Sequence, residues 1–108
     1  MSFKVLSISL FDKQAKRLVK KYPSLKSEII LLAQSLSSHP IQGTSLKNNF
    51  YKIRLAIKSK GKGKSGGARV ITYVKIIKET VYLVSIYDKS ERETISDQEL
   101  DSIFKSIL

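Results

Sequence analysis

From Phe50 to Ile57 the chain alternates between apolar and polar residues. Tyr51, Ile53, Leu55 and Ile57 share one side of an extended segment, and Lys52 and Arg54 share the other. The pattern predicts a strand with one face in a core. Residues 68–77 alternate again, with Val70, Thr72, Val74 and Ile76 against Arg69, Ile71, Tyr73 and Lys75. After KET at 78–80, short enough for a hairpin, TVYLVSIY at 80–87 is apolar almost throughout. That predicts an inner strand, covered on both faces. Three strands in a meander therefore occupy residues 50–87.

The period changes elsewhere. Phe11, Ala15, Leu18, Val19 and Tyr22 fall on one helical face, and Leu25, Ile29, Leu32, Ala33 and Leu36 repeat the spacing. Pro23 separates the two runs, and Ser24 is an expected N-cap for the second. So short a break predicts a helical hairpin near 10–22 and 25–37. Phe3–Ile8 reads as a short strand, and HPIQGTSLKNN as a turn-rich connection. Ser96 with Glu99 forms a capping box ahead of Leu100, Ile103, Phe104 and Ile107. The predicted order is β-α-α-β-β-β-α. It is an α+β fold, with a mainly antiparallel twisted sheet, an N-terminal helical hairpin and a C-terminal helix. At 108 residues the chain is one domain, 1–108.

Charge sharpens the picture. The net charge is +11, which calls for an acidic partner. Residues 1–78 hold 17 Lys and Arg against Asp12 and Glu28, while residues 79–108 are net acidic. The polyanion-binding surface is thus expected in the first 78 residues. Between two strands lies KSKGKGKSGGAR (58–69), with four lysines, one arginine and no bulky apolar side chain. Such a loop has nothing to bury and is suited to seizing a nucleic-acid backbone through Lys58, Lys60, Lys62 and Lys64. Lys16 and Lys20 on the first helix either extend that surface or form an ordinary solvated face.

Lys52, Arg54 and Arg69 are the sharper set. If their strands pair, three cations converge on one sheet face at the loop's mouth. Like charges held so close cost stability unless an anion is bound. The competing reading is an ordinary exposed sheet face with spaced charges.

Other chemistry is excluded or weak. There is no cysteine, so neither disulfides nor thiol catalysis enter, and a reducing cytoplasm is the expected location. No signal peptide and no membrane span is indicated. GKS at 63–65 lacks the glycine of a phosphate loop, since that position is Lys58, and a strand follows where a helix is needed. His39 is the only histidine and the acids are scattered, so no metal site or cofactor is expected.

Three segments, NNFYKIR, GGARVITYV after a basic loop, and SIYDKSERETIS, resemble the RelE/ParE superfamily of toxins from type II toxin–antitoxin systems. The last two are most similar to its RelE/HigB branch. The resemblance covers nearly the whole chain. It implies a ribosome-dependent endoribonuclease that cuts mRNA without a metal. It also implies a cognate antitoxin encoded beside it, with operator DNA reached only through the antitoxin complex. Carried over by motif, the catalytic positions are Lys52 and Arg54 from YKIR, Arg69 from GGARV and Lys89 from YDKSE. Some RelE members have a catalytic tyrosine slightly further on. Ile95 stands there in this chain, so that role is vacant or falls to Tyr87 or Tyr73. The ParE branch implies a different function on the same scaffold, inhibition of DNA gyrase without nuclease activity. A non-catalytic RNA- or ribosome-binding module is a further alternative.

Overall fold

The structure, a computed structural model, describes residues 2–60 and 66–107. Strand β1 (Lys4–Ser7) leads into helices α1 (Ser9–Lys21) and α2 (Leu25–Ser38). A two-residue strand, β2 (Thr44–Ser45), precedes β3 (Phe50–Leu55), β4 (Ala68–Lys75) and β5 (Thr80–Asp88). Helix α3 (Asp97–Ile107) completes the fold. The strands form one five-stranded sheet in the order β1-β5-β4-β3-β2. All neighbours are antiparallel except β1 and β5, which run parallel.

The alternation in β3 sorts its side chains as expected. Tyr51, Ile53 and Leu55 join a core with Val70, Val74, Val81, Leu83 and Ile86, covered by Phe11, Leu18, Leu25, Leu32 and Leu36 of the helical hairpin. Phe50, Ile71, Tyr73, Val84 and Tyr87 look the other way and form a second core with Ile95, Leu100 and Ile103 of the α3 region. The sheet is therefore covered on both faces, the hairpin on one and α3 on the other. β4 and β5 are buried along nearly their whole length, which explains their near-continuous hydrophobicity.

Several boundaries differ from the sequence expectation. β3 ends at Leu55 because the chain turns through Lys58–Lys60. The β4–β5 connection is a 3₁₀ turn at Ile76–Lys78, closed by Glu79 in the left-handed region (φ 47°). The middle strand of the sheet is β4, although β5 is also internal. β2 was hidden in the turn-rich connection, since two residues show no period. Ser24 does not cap α2. Its backbone is helical, and its hydroxyl instead accepts from the Ser59 backbone N–H at 3.0 Å. That bond ties the base of the basic loop to the hairpin. The α3 capping box forms as expected, with Glu99 N–H donating to Ser96 Oγ and Ser96 N–H to Glu99 Oε1, both at 3.1 Å.

Two glycines let backbone approach backbone beside β3. Gly43 has φ +86°, and a Cβ there would lie 2.2 Å from the Lys52 carbonyl oxygen. At Gly67 a Cβ would lie 2.0 Å from that of Leu55. Both gaps are far inside contact distance, so no other residue fits without moving β3.

Candidate functional site

One row across the sheet holds Arg54, Arg69 and Tyr87. Arg54 is the register partner of Arg69, and Arg69 of Tyr87. Arg69 alternates with Ala68 and Val70, both in the hairpin-side core, so it belongs to the α3 face. Lys52 lies two residues along β3 on that face, opposite Ile71. Sequence alternation and strand pairing thus bring Lys52, Arg54 and Arg69 together. α3 packs over the Phe50, Tyr73 and Tyr82 end of the face, while the arginine row lies at the end where the basic loop departs.

Arg54 is exposed and Lys52 half-buried, whereas Arg69 is only 4% exposed. Its Nη1 donates to the Ala68 carbonyl at 3.1 Å. Burial first, and then the Arg54 charge, pull the Arg69 guanidinium below its ordinary pKa, while Tyr87 pulls it partly back. An arginine so held stays charged and cannot retreat into solvent. The row is a fixed positive floor with a more accessible cation beside it.

Tyr87 has a buried hydroxyl. The Thr94 hydroxyl comes near enough to favour the phenolate slightly, yet no hydrogen bond of proper geometry forms. Burial dominates and raises the phenol pKa, against the pull of Thr94, Arg92 and Arg69. The Arg92 guanidinium lies 5.2 Å over the Tyr87 ring and pairs with Glu99. That pairing, helped by the Ser96 N–H, holds the Glu99 carboxyl down at about 2. Tyr87 and Arg92 are the site components that sequence reasoning left unassigned or missed. Tyr87 was only an alternative, and its place two residues before Lys89 was the available signal.

The segment after β5 wraps tightly around Asp88. Asp88 accepts from Ser90 N–H and Ser90 Oγ at 3.0 and 2.9 Å. Lys89 N–H donates to the Gly67 carbonyl at 3.1 Å, which sets Lys89 at the loop mouth beside the row. Glu91 binds Arg17 of α1 in a two-pronged pair, at 2.7 and 3.2 Å. The turn bearing Lys89 is thereby anchored to the hairpin.

The remaining expected residues are less unified. Lys58 leans towards Glu28 on α2 at 3.7 Å. The backbone of Lys60 ends the turn Lys58–Lys60, and Lys62 and Lys64 lie outside the described residues. Lys16 and Lys20 sit on α1, which covers the opposite sheet face, and are not brought to the arginine row. Tyr73 is packed among Phe50, Tyr82 and Phe104, with centroids 5.2 to 6.2 Å away. Ile95 is a core residue. Among the described residues no three His, Cys, Asp or Glu side chains cluster as metal ligands. No described helix is long and apolar enough to cross a membrane.

Residues 4–107 match the sequence model of the RelE toxin of the RelE / RelB toxin–antitoxin system. Among solved structures, the chain is similar to a mutant of the E. coli toxin RelE in the free state. There the identity is 18%, the TM-score 0.66, and both chains are covered completely. The isolated E. coli RelE toxin gives 20% identity and a TM-score of 0.55, covering 99% of this chain and 100% of that one. A metal-bound toxin from Helicobacter pylori gives 20% and 0.53, covering 83% and 98%. At such identities these likenesses establish the shared fold.

Proposed function

We propose that this chain, which belongs to the RelE toxin family and is therefore a toxin of a toxin–antitoxin system with a cognate antitoxin, is an endoribonuclease cutting mRNA on the ribosome. The observation that carries the reading is the Arg54–Arg69–Tyr87 row, with Lys52 on the same face. Two arginines opposed on adjacent strands repel one another. A phosphate between them relieves that repulsion and accepts from both guanidinium forks.

RNA supplies its own nucleophile. In the reaction proposed, the 2′ oxygen attacks the adjacent phosphorus, a new P–O2′ bond forms and the P–O5′ bond breaks. The products are a 2′,3′-cyclic phosphate and a free 5′-hydroxyl. Arg69 neutralises the charge that grows on the phosphorane oxygens, because it is already in place and needs no reorganisation. Arg54 and Lys89 hold the flanking phosphates. Tyr87, whose phenol keeps its proton because burial raises its pKa, gives that proton to the leaving 5′ oxygen, and the proton of the 2′ oxygen passes to the free-amine form of Lys52. Both side chains lie on strands next to the arginines, on the same face of the sheet. Tyr73, locked in its aromatic cluster, takes no part. The loop lysines 58, 60, 62 and 64 add salt-sensitive attraction to the backbone. Cytoplasmic action follows from a ribosomal substrate.

The test is cleavage of message on programmed ribosomes, with growth arrest as a second readout. Cut message ending in a cyclic phosphate supports the reading. Arrest of growth with intact message and poisoned gyrase overturns it in favour of the gyrase-directed alternative.

A further inference from the structure

The turn between β4 and β5 carries a second surface, at the opposite end of β4 from the arginine row. Lys75, the last residue of that strand, lies about 20 Å along it from Arg69. Beyond it, Ile76 is 60% exposed and Ile77 93%, although isoleucine favours the interior. Neither belongs to a core, and almost nothing shields Ile77, so the turn is a convex tip. Three hydrogen bonds pin it. Glu79 N–H donates to the Ile76 carbonyl at 2.9 Å, Lys4 N–H to the Glu79 carbonyl at 2.8 Å, and Thr80 Oγ1 to the Lys78 carbonyl at 2.9 Å. Glu79 closes the turn in the left-handed region (φ 47°), where glycine would sit without strain. Strain kept in a turn that buries nothing points to a use for the groups it presents. Lys75 and Lys78 flank the two isoleucines, Lys4 is joined to the turn through its backbone, and Glu79 is the turn's one acid.

We propose that this tip inserts into the surface of an anionic lipid bilayer. Ile76 and Ile77 enter the boundary between headgroups and acyl chains, while the lysines stay level with the anionic headgroups. Shape and charge together select this occupant. Two aliphatic side chains on a convex tip form no pocket, and a bilayer is soft enough to take them without one. Single-stranded RNA engages lysines but stacks its bases on aromatic side chains, and the turn presents none. A second copy of this chain would bring its own net charge of +11 against the same lysines. With only two isoleucines buried, the attachment is weak and reversible. It leaves the arginine row at the far end of β4, clear of the bilayer and open to its own ligand.

The proposal rests on the turn alone, so a wild type that cuts no RNA leaves it standing. The measurement is sedimentation of the full chain with phosphatidylcholine vesicles containing about 30% phosphatidylglycerol, against phosphatidylcholine alone. Binding to the anionic vesicles is expected, with little to the neutral ones. Ile77→Ser should weaken it about tenfold or more, through loss of one buried aliphatic side chain. Lys78→Gln should weaken it as well and reduce its salt dependence. Both positions are exposed, and circular dichroism with melting temperature establishes that the variants are folded. The chain has no tryptophan, so Ile77→Trp adds a single reporter of insertion. Its emission should shift to the blue on anionic vesicles and be quenched by lipids brominated along the acyl chain. Failure to bind anionic vesicles overturns the proposal, and so does equal binding to neutral ones. Full binding by Ile77→Ser, or unshifted emission from bound Ile77→Trp, overturns it too, because only net charge is then recognised. Two further results overturn it when Ile77→Ser abolishes them: binding of single-stranded RNA, or self-association of the free chain.

Discussion

Arg54 and Arg69 are direct register partners across the β3–β4 pair, on the same face of the sheet. The Arg54 charge lowers the affinity of Arg69 for its proton, which makes the repulsion between them tangible. Opposed like charges on adjacent strands cost roughly 0.2–1 kcal/mol. Arg54→Gln should therefore raise the melting temperature while slowing cleavage. Inorganic phosphate should stabilise the wild type more than the variant, since it binds where both arginines stand. A variant melting at or below the wild-type temperature, with an unchanged phosphate response, would show that the pair is not an anion site.

Arg69 itself should matter most to the chemical step. Arg69→Ala should lower the cleavage rate by a factor of ~100 to 1,000, the cost of losing one preorganised donor to transition-state charge. Message binding should change far less. Single-turnover kinetics with saturating toxin separate the two effects. Equal losses in binding and rate would make Arg69 a docking residue.

Tyr87→Phe separates chemistry from packing. The phenol oxygen is buried without a proper hydrogen bond, and such a group costs roughly 1–3 kcal/mol. Its removal should leave stability unchanged or higher, yet lower the cleavage rate about tenfold or more. A stable variant with full activity would remove Tyr87 from the reaction.

The basic loop should set the salt dependence. Replacing Lys60, Lys62 and Lys64 by Ala should reduce the slope of log affinity against log salt. On single-stranded RNA the reduction should be about 0.7 for each phosphate that is no longer neutralised. Filter binding across a salt series measures it. An unchanged slope would move the contact surface away from the loop.

Glu99 gives a pH signature. Its carboxyl falls from an ordinary 4.5 to about 2 on folding, first through Arg92 and then through the Ser96 N–H. A depressed carboxylate contributes stability above the unfolded value and loses it as pH falls through the folded one. The contribution should thus fade between about pH 4.5 and 2. The pair is partly exposed, so solvent screening keeps its share small, and the capping box adds about 1 kcal/mol. Glu99→Gln should flatten the acid limb of a stability–pH curve. Two curves that fall in parallel would place the acid sensitivity elsewhere.

The legible parts of the fold were those with a clean period and one buried face. In β3, alternation gave the strand, its inward side and the outward Lys52 and Arg54. Alternation also set Arg69 beside Lys52 and Arg54, but β4 and β5 are covered on both faces, so their pattern could not tell that Arg69 would be buried. Tyr87 stayed only one of two alternatives beside Tyr73, since an aromatic in an apolar run reads as core. Ser24 shows a local rule overridden by a distant contact, because its hydroxyl serves Ser59 across the hairpin rather than α2. Nothing in the helical periodicity of α1 reveals which sheet face it covers. Lys16 and Lys20 could therefore be separated from the arginines only by topology.

The parallel pairing of β1 with β5 bears on the order in which the protein is made. Lys4 aligns with Thr80, so the first strand cannot find its place until most of the chain exists. A contact between such distant positions costs loop-closure entropy before it returns anything, which makes it a late event in folding. During synthesis the helical hairpin emerges early, while β4 waits for β5 to complete its pairing. A nascent chain halted before residue 80 has neither the strand that supplies Tyr87 nor the neighbour that buries Arg69. Translation itself thus delays assembly of the arginine row until the last quarter of the polypeptide has been made.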